Sequence, residues 1–156
     1  MLEPTPQAQR NATRAHNIDV VTGSGYAKLG GSSLFVKPGM YLFSPGISKG
    51  KHEKYWFDIR EANVKKIEKG ADVGILLRIV PNMFAYLSWA DISPWLTIPF
   101  SDIRANSGRV WGFYCDIKVE ATKIGVVLKS DSSKEVVVSL LTRDEAVAAI
   151  ASVPFG

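Results

Sequence analysis

Cysteine is almost absent from the chain: Cys115 is the only one in 156 residues. One thiol cannot build an internal disulfide framework or a cysteine-rich zinc site. Histidine is nearly as scarce, and neither His16 nor His52 has metal-ligand spacing to another candidate. No apolar run approaches the roughly 18–20 residues needed to cross a bilayer. The opening MLEPTPQAQRNATRAHN also lacks the apolar core of a signal peptide. A cytoplasmic location and no membrane partner are therefore expected, and the Asn11-Ala12-Thr13 sequon reads as coincidence. Phosphate-loop spacing is missing as well. TGSGYAKLGGSS (22–33) fits neither G-x-G-x-x-G nor G-x-x-x-x-G-K-[ST], so it reads as a loop. No G-x-S-x-G elbow and no internal repeat is present.

What is there is the composition of a folded domain, 46% hydrophobic and 22% charged. Such a length suits one domain with its own core. The net charge of +4 is unevenly spread: residues 31–70 hold eight bases against four acids, whereas 109–156 hold six of each. A local excess of lysine suits a phosphate backbone; a solvated, solubilising surface is the plainer reading.

Residues 1–30 are poor in large apolar side chains and read as a flexible N-terminal arm, with a short strand at 17–21. Residues 31–156 read as a single α+β domain. Pro38-Gly39 between two apolar runs predicts a hairpin with a type II-like turn. Tyr55-Trp56-Phe57 suits a strand. Asp58 and Glu61 have capping-box spacing and predict a helix over about 59–69, with Val64 and Ile67 inward, Glu61 paired to Lys65, and Gly70 as the stop. VGILLRIV (73–80) is apolar on both faces, as a strand covered on both sides must be. Arg78 inside it has to reach a carboxylate, a ligand or solvent. Residues 84–89 predict its antiparallel neighbour, 95–99 a strand or tight turn, and Ser101 the cap of a short helix through Ala105. RVWGFYCDIKVE (109–120) is a long strand with Gly112, Tyr114 and Asp116 on one face and Trp111, Phe113 and Cys115 on the other. A hairpin over 123–141 follows. Thr142 and Glu145 then start a helix over about 143–152, with Val147 and Ile150 inward. The architecture expected is a mostly antiparallel sheet or partly open barrel with two short helices.

Three readings of function follow. The first is nucleic-acid binding, DNA ahead of RNA, through basic residues interleaved with aromatics: Lys49, Lys51, Lys54, Tyr55, Arg60, Lys65 and Lys66, with Trp56 among them and Arg10 and Arg14 in the arm. Lysines neutralise phosphates and an exposed ring stacks on a base. The second is enzymatic. Asp102 with Asp116-Ile117-Lys118 resembles, in those three residues, the restriction-endonuclease-like nucleases. That resemblance implies Asp102 and Asp116 as Mg²⁺ ligands and Lys118 as the group that positions the attacking water. Phe100-Ser101 departs from the proline that commonly precedes the first acid in that superfamily, and no upstream helix bearing a further Glu is evident. Cross-strand pairing is the ordinary role of such residues. The third is a protein-interaction module, either a homodimer or the binder of another chain. No cofactor is called for except Mg²⁺ under the nuclease reading.

Overall fold

In the computed structural model, which describes residues 6–30, 33–49, 55–80, 82–117 and 122–151, the elements run in the following order. First come α1 (Pro6–Thr22), β1 (Ala27–Gly30), β2 (Leu34–Lys37), β3 (Met40–Phe43), β4 (Ser48–Lys49) and β5 (Tyr55–Arg60). Next are α2 (Glu61–Val64), β6 (Asp72–Val80), β7 (Met83–Ser88), α3 (Trp89–Ile92) and 3-10 turns at Ser93–Trp95 and Ile98–Phe100. The chain closes with β8 (Asp102–Arg104), β9 (Gly108–Ile117), β10 (Lys123–Leu128), β11 (Glu135–Leu141) and α4 (Arg143–Ala151).

The strands form one open sheet in the order β1-β2-β3-β6-β7-β11-β10-β9-β5-β4, and β8 pairs with β9 off that path. Among the described strand pairs only β3–β6 is parallel, and an isolated parallel bridge joins Gly46 to Arg78 of β6. The expected α+β class and antiparallel sheet are present, and the sheet does not close into a barrel. It folds over on itself through β11. Residues 135–139 of that strand pair with β10, while Leu140 and Leu141 pair with Ala85 and Phe84 of β7. A strand shared between two halves of a sheet makes such a corner.

Two cores follow from this folding. Inside the fold, Leu34, Phe43, Ile75, Leu77 and Leu87 from one half meet Phe57, Ile59, Trp111, Phe113, Ile124, Val126 and Leu128 from the other. On the far side of the first half, Phe35, Leu42, Leu76 and Phe84 pack under Val20 and Val21 of α1 and Ala146 and Ile150 of α4. Strand β6 is therefore buried on both faces, as its unbroken apolar run required. Arg78 within it is 3% exposed. Its Nε and Nη2 donate to the Ser44 carbonyl at 2.9 and 2.7 Å, and Nε also donates to Ser44 Oγ at 3.2 Å. Ser44 Oγ in turn donates to the Leu76 carbonyl at 2.9 Å, which fastens the end of β3 to β6. Burial, followed by the nearby Arg14, lowers the Arg78 pKa to about 10, so it stays charged at neutral pH.

Several local expectations hold. Gly39 has φ +77°, the turn conformation that Pro38-Gly39 implied between β2 and β3. Thr142 and Glu145 form the reciprocal cap of α4: Thr142 N–H donates to Glu145 Oε1 at 2.9 Å and Glu145 N–H to Thr142 Oγ1 at 3.3 Å.

Other expectations need correction. The strand foreseen at 17–21 is helical, and residues 6–22 of the supposed arm form the seventeen-residue helix α1. Its described inner stripe is Asn17, Val20 and Val21, too little apolar surface to announce a helix by periodicity. The helix expected over 59–69 is a single turn, α2, followed by looser turns to Ile67. Ile59 and Arg60 belong to β5 because Ile59 pairs with Trp111 and is buried in the inner core. Asp58 is no cap; its carboxylate is engaged by Arg104 at 3.0 Å. The Glu61–Lys65 pair does form, at 3.4 Å. The helix expected after Ser101 is strand β8, since residues 102–104 find ladder partners on β9.

Two outcomes test these fastenings. Arg78→Ala should destabilise the fold by about 1.5–3 kcal/mol, the range of hydrogen bonds from charged donors, read from the denaturant midpoint at unchanged m-value. Glu145 is held below its usual carboxyl range first by the Thr142 N–H and then by the Thr142 hydroxyl. A depressed folded pKa adds stability that is full above the unfolded value and fades as pH falls through the folded one. The melting-temperature gap between the native chain and Glu145→Ala should therefore narrow on acidification below about pH 4.3.

Candidate nucleic-acid interface

Strand alternation sorts the residues of β5 and β9 into an inner and an outer set. On β5, Tyr55, Phe57 and Ile59 face the inner core, with Phe57 stacked on Phe113 at 4.9 Å between centroids. Trp56, Asp58 and Arg60 consequently face outward, as do Gly112, Tyr114 and Asp116 of β9. The ladder places Trp56 opposite Tyr114, Asp58 opposite Gly112, and Val127 of β10 on the other flank of Tyr114. Neither α1 nor α4, which pack on the other half of the sheet, covers this face.

At its centre lies a hollow of about 180 Å³, lined by Trp56, Arg104, Gly112, Phe113, Tyr114 and Lys129. Gly112 makes the floor. A Cβ added there would stand 3.4 Å from Lys129 Cδ and 4.0 Å from Arg104 Nη2, so the missing side chain is what keeps the depression open. Arg104 forms one wall. It arrives from the β8–β9 hairpin, bonds Asp58 Oδ2 through Nη1 at 3.0 Å, and sets its guanidinium 5.3 Å from the centroid of Trp56. Asp58 thus fixes a cation over an indole face. Lys129, exposed at the end of β10, forms the opposite wall. Cys115 points away into the core, and burial pushes its thiol up to about 12, leaving it inert at neutral pH.

The sequence-derived site residues fall in different places. Arg60 lies on the outer face beyond Asp58 and is exposed. Tyr55 does not; it packs against the inner core. Lys49 sits in β4 beside Tyr55, whereas Lys65 and Lys66 lie past the other end of β5, so about 17 Å of strand separates the two lysine groups. Lys51, Lys54 and His52 fall outside the described residues, as does Arg10's side chain, and Arg14 is exposed on α1.

The nuclease constellation is not brought together. Asp102 pairs with Val110, and Asp116 pairs with Gly125 six positions further along β9. At the usual rise that is about 20 Å. Two carboxylates that distant cannot both lie about 2.1 Å from one Mg²⁺. Lys118 falls outside the described residues. Among the described residues no group of three His, Cys, Asp or Glu side chains gathers to hold a metal.

Sequence reasoning alone does not single out Arg104, Gly112, Tyr114 and Lys129 as site residues. Alternation along β9 does set Tyr114 on the outer face, which is a usable signal. Arg104 carries none, because the capping pattern at Ser101 places it in a helix that the protein does not form. No protein-family model matches the chain, and no curated protein or solved structure shows significant similarity to it.

Two substitutions probe the hollow itself. Arg104→Ala should cost about 1.5–3 kcal/mol, the range of a hydrogen bond between charged groups, because the partly buried Asp58 loses its partner, while raising acrylamide quenching of tryptophan fluorescence as Trp56 is uncovered. Gly112→Ala should leave the melting temperature unchanged, because the added Cβ meets only the Lys129 and Arg104 side chains, at ordinary contact distance.

Proposed function

We propose that this domain binds single-stranded nucleic acid on the outer face of β5, β9 and β10, with DNA the preferred form. The observation that carries the reading is the Trp56–Tyr114 cross-strand pair, set beside a hollow whose walls are the cations Arg104 and Lys129. Stacking on aromatic side chains together with cations that follow the backbone is how unpaired nucleic acid is held without sequence preference. Arg60 extends the cationic border along β5. The segment holding Lys49, Lys51 and Lys54 runs directly into Tyr55 in sequence, at the strand end nearest Trp56. The centre of the surface accordingly moves from the lysines of 49–69 to the Trp56–Tyr114 pair.

In this reading a base occupies the hollow over Gly112 and stacks on Trp56 or Tyr114, and its phosphates meet Arg104 and Lys129. The face carries acids as well: Asp58 is committed to Arg104, and Asp116 lies further along β9. Modest affinity that depends on stacking fits this mixture better than tight electrostatic binding. The test is fluorescence titration with a single-stranded DNA oligonucleotide, with RNA of the same sequence in parallel. Trp56→Ala and Tyr114→Ala should each weaken binding by about 1–3 kcal/mol. Lys51→Ala, Lys54→Ala and Lys65→Ala combined should flatten the salt dependence, lowering the log–log slope by about 0.7 for each phosphate left without its lysine. Absence of binding at low salt, or binding indifferent to both aromatic substitutions, would end the reading.

A further inference from the structure

The outer face of β9 is open at one end and closed at the other. From Asp116 its outward residues run through Tyr114 and Gly112 to Val110. Val110 is 0% exposed although it belongs to neither core. The path of Arg104 explains the cover. Its backbone pairs with Gly108 on one flank of β9, while its guanidinium bonds Asp58, which pairs with Gly112 on the other flank. The side chain therefore crosses β9 over Val110. Strand β10 stops at the level of Gly112: the Lys129 N–H donates to the Gly112 carbonyl at 2.9 Å. The chain then turns away, with Ser130 Oγ donating to the Phe100 carbonyl at 2.8 Å. The hollow over Gly112 is thus the last open place along this strand. Past it on the same face comes Asp102, opposite Val110 on β8, an acid where a continuing nucleic-acid strand would need a cation.

We infer that the hollow is an end site, which takes the terminal nucleotide of a single strand and selects a phosphomonoester over an internal diester. The inference rests on the nucleic-acid reading above and names what that site selects. At about 180 Å³ the hollow is smaller than the roughly 300–1,000 Å³ of pockets for drug-sized ligands, so it has room for one base. A strand lying along β9 reaches it with that base towards the Trp56–Tyr114 pair and the last phosphate at the closed end. Two cations converge there from opposite walls. A Cβ on Gly112 would stand 4.0 Å from Arg104 Nη2 and 3.4 Å from Lys129 Cδ, so both side chains close on the same point. Arg104 spends one N–H on Asp58 and retains four others, and Lys129 brings three. An internal diester offers two charged oxygens and must be left by chain on both sides. A terminal monoester offers three oxygens and has chain on one side only, the side that this face leaves open. Arg60, exposed on β5 opposite Val110, adds a third cation at the closed end. Against these stand Asp58, committed to Arg104, and Asp102, whose Oδ1 accepts the Ile103 N–H at 3.0 Å.

The experiment is fluorescence titration of the full chain with one single-stranded DNA sequence in four forms: 5′-phosphorylated, 3′-phosphorylated, hydroxyl at both ends, and ligated into a circle. One of the phosphorylated strands should bind at least tenfold more tightly than the hydroxyl-ended strand, because the end phosphate gains charge-assisted hydrogen bonds. The circle, which has no end, should bind most weakly. Which phosphate is preferred gives the polarity of the strand on β9. Lys129→Ala should bring the phosphorylated and hydroxyl-ended strands to within about twofold of each other, since the second wall then lacks its donors. Trp56→Ala should weaken every form by a similar factor, because stacking is common to all of them. A circle bound as tightly as the phosphorylated strand, or equal affinity for phosphate and hydroxyl ends, would overturn the end site and leave binding through the aromatic pair in place. No binding of any form at low salt, or binding indifferent to Trp56→Ala, would remove the nucleic-acid reading and the end site with it.

Discussion

The structure depends on one constraint: its helices cover only half of its sheet. An eleven-stranded sheet offers two faces, and both must be buried against something or made compatible with water. Folding over through β11 buries the inner faces of both halves against each other. Helices α1 and α4 then cover the back of β2, β3, β6 and β7, where Phe35, Leu42, Leu76 and Phe84 require it. Nothing comparable remains for the back of β5, β9 and β10 among the described residues. That face is instead adapted residue by residue, with Asp58, Arg60, Asp116 and Lys129 among the rings of Trp56 and Tyr114. The uncovered aromatics are where such a fold can meet another molecule.

Arg104 is the side chain that makes this adaptation specific. Its reach across β9 to Asp58 joins the β8–β9 hairpin to β5, and its guanidinium lies on Trp56. Under the proposed nucleic-acid reading, a phosphate would meet a cation that Asp58 already holds and that has little rotational freedom left to lose. The same hairpin alternates, so placing Asp102 and Arg104 on the aromatic face forces Ile103 to the opposite one. The charged wall of the hollow and the exposed apolar edge therefore have a common origin in three residues.

How much can be read from the sequence depends on how local the determining interaction is. The Pro38-Gly39 turn, the Thr142–Glu145 cap and the double burial of 73–80 are short-range or periodic signals, and each is present as expected. The failures have long-range causes. Asp58 and Glu61 have capping spacing, but Arg104, 46 positions away, claims Asp58, and Trp111 holds Ile59 in the ladder. Helix α1 escapes a periodicity argument because its described buried side chains are few, and Tyr26, which follows it in the chain, is tied to the Ile150 carbonyl at 2.8 Å. The site is half legible. Trp56 and Arg60 are visible within the basic stretch, yet the pairing of Trp56 with Tyr114 depends on register, which no single segment encodes.

The same distinction explains why the two carboxylate readings fail in opposite ways. Asp102 and Asp116 stand on neighbouring elements in sequence, so a hairpin is expected to bring them together. The turn at 105–107 instead pairs residues 102–104 with 108–110, and β9 then runs on beside β5 before β10 joins its other edge at Phe113. A tight turn close to Asp102 necessarily leaves Asp116 far along the strand. Asp58, by contrast, looks purely local and proves to be a long-range anchor. In an antiparallel fold the turn decides which residues meet, and a short turn separates what a long one would join. The chemistry of this face accordingly gathers around Gly112, where β5, β8 and β10 converge on β9, rather than around either pair of acids.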